Sequence, residues 1–195
     1  MSGRTGNDIA SSVVKILAEI IKLYPSVSDL TLWSDSCIPQ NRNSVMSCAL
    51  ISFLRCNNIH SLTQKFGEPG HSAVQEVDNV HSQIEQKLKV KDVFSPLGFL
   101  RVLKQVNIKR PLVTIQMREF SDYRSISKRL NFSSLPYSKV KVIRYTKSPE
   151  SSVVTMEYGV SFDQALVNVA YDILPVRGRR TVSYTHLTLP TKRIV

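Results

Sequence analysis

The sequence predicts an α/β fold on three observations. Apolar residues recur at helical spacing in three stretches, two short strand-like runs separate them, and the connections are short. An order of helix, strand, helix, strand, helix favours a sheet whose first two strands run parallel, because a helical crossover is what joins parallel neighbours. The chain of 195 residues is long enough for one domain with a sizeable core.

Asn7 or Asp8 can cap a first helix that carries Ile9, Val13, Ile16, Ile20 and Leu23 on one face, and Pro25 ends it. Residues 29–35, DLTLWSD, form a strand that stops in a polar loop. Asn41 or Asn43 starts a second helix with Met46, Ala49, Leu50, Phe53 and Leu54, closing near Asn57 and Asn58. Residues 59–66 read as a second strand, which the loop of Gly67, Pro69 and Gly70 breaks. A third helix follows over residues 74–88.

The second half is more mixed. Residues 95–106 read as a helix around Leu97, Leu100 and Leu103, residues 112–117 as a strand, and residues 120–130 as a short amphipathic helix. Residues 140–145 and 152–158 read as two strands joined through Ser148, Pro149 and Glu150 in a hairpin. The expected organisation is an α/β core over residues 1–92, an α+β extension of the same domain over 93–176, and a basic linker and tail over 177–195.

Hydrophobic content of 42% and charged content of 21% are ordinary for a globular chain, so disorder is not the default. No apolar run is long enough for a membrane span, and no charged-then-apolar leader is present, so a soluble intracellular protein is expected. Cys37, Cys48 and Cys56 are odd in number and lack metal-type spacing; reduced, mostly buried thiols are expected. Net charge is +11, with 26 basic and 15 acidic residues, which suits a polyanionic partner. A merely solvated basic surface would give the same count.

Asp35 follows the first strand, and ligands of open α/β sheets gather outside the carboxyl ends of strands. An Asx-turn would use the same residue. In the amide-rich QNRN that follows, Arg42 can contact phosphate or hold the loop. His71, after Gly70, can orient a phosphate or bond to backbone. On the third helix Asp78 and Glu85 lie about 20° apart in projection, with His81 in reach of both. Val77, Val80, Ile84 and Leu88 form the adjoining apolar stripe, while Glu76 points nearly the opposite way. Two neighbouring carboxylates repel, and a divalent cation relieves them. Two Mg²⁺ or Mn²⁺ ions about 3.5–4 Å apart could then activate water and stabilise the leaving oxygen of a phosphodiester. The competing reading has Asp78 capping the helix and Glu85 paired with Lys89. A zinc site from Cys37, His71 and His81 lacks any known spacing, and no G-x-S-x-G elbow supports a serine triad.

The segments GRTGNDIASSV (residues 3–13), LTLWSDSC with QNRN, and GHS with E-x-D-x-x-H-S-x-I-E (residues 70–85) resemble a transposon-derived domain of invertebrate proteins. That domain is regarded as RNase H-like, similar to the catalytic domains of DDE transposases and integrases. Weaker similarity runs on through SPLGFLRVLK, PLVTIQM and the KVIRYTK to MEYGVSF hairpin, covering residues 3–172. The resemblance implies a partial RNase H-like mixed sheet flanked by helices, with Asp35 as the second catalytic acid and Asp78, or its rival Glu85, as the third. It implies Mg²⁺ or Mn²⁺ on Asp35 and Asp78, and Arg42, His71 and His81 on nucleic acid. Ile38 and Pro39 depart from the small, Gly-rich residues usual there.

The first three strands of such a domain, with its first Asp, have no counterpart before Gly3. The parent domain is thus expected to cleave DNA or transfer strands, in the nucleus and with a homo-oligomer possible, and this chain to be inactive alone. The alternative is a domesticated nucleic-acid-binding module without catalysis. Residues 182–195, VSYTHLTLPTKRIV, resemble the translation of a transposase-type sequencing-library adapter, matching it residue for residue from Val182 to Thr191. They carry no weight in these expectations. Setting them aside removes only Lys192 and Arg193 from the basic count, so the basic character stands.

Overall fold

Thr5, rather than Asn7 or Asp8, caps the first helix. Its Oγ1 accepts a hydrogen bond from the Asp8 amide at 3.4 Å, and the Asp8 carboxylate accepts one from the Thr5 amide at 3.4 Å. This reciprocal box starts α1 (Gly6–Leu23) before the expected cap. Asn7 is then free to reach across the chain, donating to Ser121 O at 2.9 Å and accepting from the Arg124 amide at 3.1 Å. Gly6 fits where no side chain could, since a Cβ there would lie 2.7 Å from Pro39 O.

The computed structural model describes residues 5–67, 76–150, 153–173 and 191–193. After α1 come β1 (Asp29–Ser34), α2 (Ser44–Cys56) and β2 (Ser61–Phe66). Asn43 is the cap of α2, with its Oδ1 accepting from the Met46 amide at 3.0 Å. Next are α3 (Glu76–Lys89), α4 (Pro96–Leu103), β3 (Glu119–Ser121), α5 (Tyr123–Ser127) and β4 (Leu130–Asn131). The order ends with β5 (Val142–Lys147), β6 (Val154–Gly159), β7 (Val167–Asn168), β8 (Asp172–Ile173) and β9 (Thr191–Arg193).

The main sheet is mixed, in the order β1-β2-β5-β6-β7. β1 and β2 are parallel, with Leu30 opposite Leu62 and Trp33 opposite Lys65, and the remaining neighbours are antiparallel. The fold is therefore α/β with a mixed five-stranded sheet, and the β5–β6 hairpin forms as the alternation predicts. Two small antiparallel sheets, β3 with β9 and β4 with β8, complete the strands. β9 falls inside the adapter-like tail.

Three further expectations change. Residues 112–117 form no strand, and Val113 is 79% exposed, because that stretch has apolar residues but no pairing partner among the described residues. The helix expected over residues 120–130 shrinks to α5, since Phe120 pairs in β3 and the Asp122 carboxylate caps the turn by accepting from the Ser125 amide. Of the cysteines, all free, only Cys48 is buried; Cys37 is half-buried and Cys56 exposed. Burial pushes the Cys48 thiol up to about 12.

The chain divides into two compact units, one of Met1–Gly70 with Met117–Val195 and one of His71–Gln116 that contains α3 and α4. In the larger unit α2 is buried all round from Met46 to Leu54, the mark of a helix enclosed by other elements. α1 and α5 pack on it, and it packs on β2, β5 and β6. Leu62, Phe66, Ile143, Tyr145 and Met156 meet it from one face of the sheet, each at most 1% exposed. A polar chain crosses this core. The hydroxyls of Tyr137, Ser47 and Tyr145 and the Gln64 carbonyl oxygen are linked by three contacts of 2.9 Å. Each hydroxyl has one proton to give, so the consistent direction is Tyr137 to Ser47 to Tyr145 to Gln64, which satisfies every group. Among the described residues no helix is long and apolar enough to cross a membrane.

Candidate nucleic-acid and metal site

Asp35 comes one residue beyond β1 and is exposed. Parallel pairing carries the chain to this point: the Gly67 amide donates to Ser34 O at 2.9 Å, and Ser36 Oγ bonds to Gly67 O. The loop then folds back on Asp35. Its Oδ1 accepts from Asn41 Nδ2 at 2.7 Å and from the Cys37 amide at 3.4 Å, the geometry of the Asx-turn reading. Cys37 O in turn accepts from the amides of Gln40, Asn41 and Arg42 at 3.2, 3.0 and 3.4 Å.

The loop is tied to the core. Gln64, held by Tyr145, donates from Nε2 to Asn41 O at 3.4 Å, so the buried polar chain ends on the residue that holds Asp35. Arg42 is 5% exposed; its Nη1 donates to Val140 O at 3.2 Å and its guanidinium lies 5.8 Å from the Phe66 ring centre. That placement is the loop-holding alternative, not an arm reaching for phosphate. Asn41 Oδ1 and Arg42 Nε are buried without a hydrogen-bond partner among the described residues.

Asp78, His81 and Glu85 all lie on α3, in the His71–Gln116 unit, and all three are exposed. Asp78 is the third described residue of α3. No ion pair joins Glu85 to Lys89 among the described residues. Val80, Ile84 and Leu88 are half-buried beside them, while Val77 is 48% exposed. His71 lies outside the described residues.

As a metal ligand Asp35 fits in part. One of its oxygens is committed to two N–H donors and the other carries no bond among the described residues, so it can offer a single ligand to a hard cation. Among the described residues no three His, Cys, Asp or Glu side chains gather as a metal site requires. The acids of a two-metal centre are thus not assembled by the described residues.

Sequence reasoning passed over one group. Trp33 is 56% exposed and Phe162 45% exposed, with ring centres 5.8 Å apart, and Lys65 Nζ lies 5.2 Å from the Trp33 ring centre. The signal available was a tryptophan at a position of the strand whose alternation turns it away from Leu30 and Leu32. No family model, no curated protein and no solved structure matches the chain.

Proposed function

We propose that this chain binds DNA, as part of the RNase H-like, transposase-type class its motifs resemble, and does not cleave DNA on its own. The supporting observation is a surplus of exposed cations that take part in no ion pair among the described residues. Arg118, Arg124, Lys128, Arg129, Lys139 and Arg144 are exposed. Among the described residues the ion pairs are Lys15 and Lys22 on the single carboxylate of Glu19, at 3.2 and 3.0 Å. Phosphates supply the absent counter-charge, and release of their condensed cations drives binding. A nuclear setting goes with that reading.

A second reading, metal-dependent cleavage or strand transfer by a fuller form of the domain, has one observation in its favour. β1 pairs with β2 on one side and with no described strand on the other, and Asp35 follows its last residue. A strand added on that side would bring its own side chains next to Asp35. A carboxylate there would stand beside Asp35, the kind of pairing that a Mg²⁺ or Mn²⁺ site is built on.

The test is fluorescence anisotropy of a labelled DNA duplex across a salt series, with Mg²⁺ or Mn²⁺ present, for the unaltered chain, Asp35→Ala and Asp78→Ala. Binding is expected to weaken roughly 10³-fold or more between 50 and 200 mM salt, equally in all three proteins, with the DNA left intact. Lack of binding at low salt would sink the reading. Metal-dependent cleavage that Asp35→Ala abolishes would replace it with the second.

A further inference from the structure

The face of the main sheet turned away from α2 carries three rows of side chains, set by the strand register. Trp33, Lys65, Val142 and Gly159 form the first row; Thr31, Thr63, Arg144 and Glu157 the second; Asp29, Ser61, Thr146 and Thr155 the third. α2 and the helices on it pack against the opposite face. The first row lies at the end of the sheet where Asp35 emerges. Phe162, just after β6, leans over that row to meet Trp33 at 37° between ring planes.

Two half-exposed aromatic rings are costly to leave in water, and Lys65 offsets this only in part by resting its ammonium on the indole. We infer that Trp33 and Phe162 form a stacking site for an unpaired base of single-stranded DNA. This deepens the DNA-binding reading and rests on it. Every base has a π-face, so an aromatic platform takes bases without regard to sequence, and neighbouring cations take the phosphates. Charge complementarity picks this occupant over an apolar one. The first row has a cation and no carboxylate, and Arg144 is exposed in the second. Of the carboxylates, Asp35 follows the first row with one oxygen taken by Asn41 Nδ2 and the Cys37 amide, Asp29 is two rows away and hydrogen-bonded by Ser28 and Ser61, and Glu157 lies opposite Arg144, three strands from β1, roughly 14 Å. Asp163, exposed beside Phe162, turns phosphates toward the Lys65 side.

An entering base displaces the Lys65 ammonium from the indole, and the long lysine stem lets it swing onto the phosphate of the same nucleotide. The Trp33 side chain leaves the strand two residues before Asp35, so a base held there lays its backbone beside the loop of Asp35.

Trp33 is the only tryptophan in the chain, so its emission reports this site alone. The full chain is titrated at low salt with a thymidine oligonucleotide about twelve nucleotides long and with an abasic sugar–phosphate of equal length, with anisotropy of labelled copies followed in parallel. The thymidine strand is expected to quench Trp33 by about half or more and the abasic strand to leave it unchanged. Trp33→Leu should weaken thymidine-strand binding roughly 5- to 150-fold, and Trp33→Phe, which keeps a ring, should restore most of it. Thymidine-strand binding without a change in Trp33 emission overturns the stacking site and leaves the DNA-binding reading standing. Equal quenching by the abasic strand overturns it too. Failure of both single strands to bind overturns the stacking site, and the duplex titration alone decides the DNA-binding reading.

Discussion

The two faces of one sheet show the same strands in opposite service. Along β2, Leu62, Gln64 and Phe66 are buried against α2, while on the other face Ser61 and Lys65 stay half-exposed and Thr63 is buried. Along β5, Ile143 and Tyr145 are sealed at 0% exposure, while Arg144 between them is exposed. Strand alternation enforces this division, since successive side chains point to opposite faces. The covered face carries the apolar area and the one polar chain that crosses it, so it governs stability. On the open face Val142 and Thr63 are buried, but Thr31, Lys65, Arg144 and the Trp33 pair remain accessible, so substitutions at those positions should alter binding and leave folding nearly untouched.

The largest effect that would sharpen this contrast is expected from Tyr145→Phe on the covered face. It removes the hydroxyl between Ser47 and Gln64, leaving a donor and an acceptor buried without partners, at a cost of about 1–3 kcal/mol. Urea unfolding followed by circular dichroism measures it. The same variant releases the Gln64 amide that holds Asn41, so the half-buried Cys37 in that loop should become more reactive to a thiol reagent. A stability equal to the parent protein would mean that the polar chain does not form.

A smaller effect comes from pH. Burial raises the acid groups of Cys48, Tyr123, Tyr137, Tyr145 and Tyr171 above their usual values. For each of them the folded state keeps its proton longer than the unfolded state. Their contribution is therefore complete below the unfolded pKa and is lost as pH rises toward the folded one. For Cys48 that window runs from its ordinary value of 9.0 to about 12, with a slope of up to about 1.4 kcal/mol per pH unit. The melting temperature should hold steady to about pH 8.5 and fall beyond it, less steeply in Cys48→Ala. A flat profile to pH 10.5 would contradict burial of these groups.

Much of this was legible in the sequence. The apolar spacing of Met46, Ala49, Leu50, Phe53 and Leu54 predicts α2, the turn chemistry of Ser148 and Pro149 predicts the β5–β6 hairpin, and the position of Asp35 beyond its strand is as expected. What stayed hidden depends on distant partners. Asn7 looks like a cap until Ser121 and Arg124 claim its side chain. Residues 112–117 look like a strand because apolar content alone does not show whether a neighbour exists to pair with. Arg42 reads equally as phosphate ligand or loop brace until Val140 O and the Phe66 ring come close. On α3, spacing alone puts Asp78, His81 and Glu85 on one helix face; what meets that face is not encoded in spacing.

The smallest stability effect is expected at Arg144, and it breaks the comparison most directly if it fails. Its side chain is exposed, stands on the open face, and has Ile143 and Tyr145 of the core on either side in sequence. Arg144→Ala should therefore shift unfolding by no more than about 0.5 kcal/mol, measured by urea midpoint at constant slope. If the cation faces phosphate, the same change makes the logarithmic salt dependence of single-strand binding shallower by about 0.7. A stability loss as large as that of Tyr145→Phe would show that the open face is itself packed, and the division of labour between the faces would fall with it. An unchanged salt dependence with unchanged stability would leave the division intact and move the phosphate path off Arg144, toward Lys65 and the exposed Lys139.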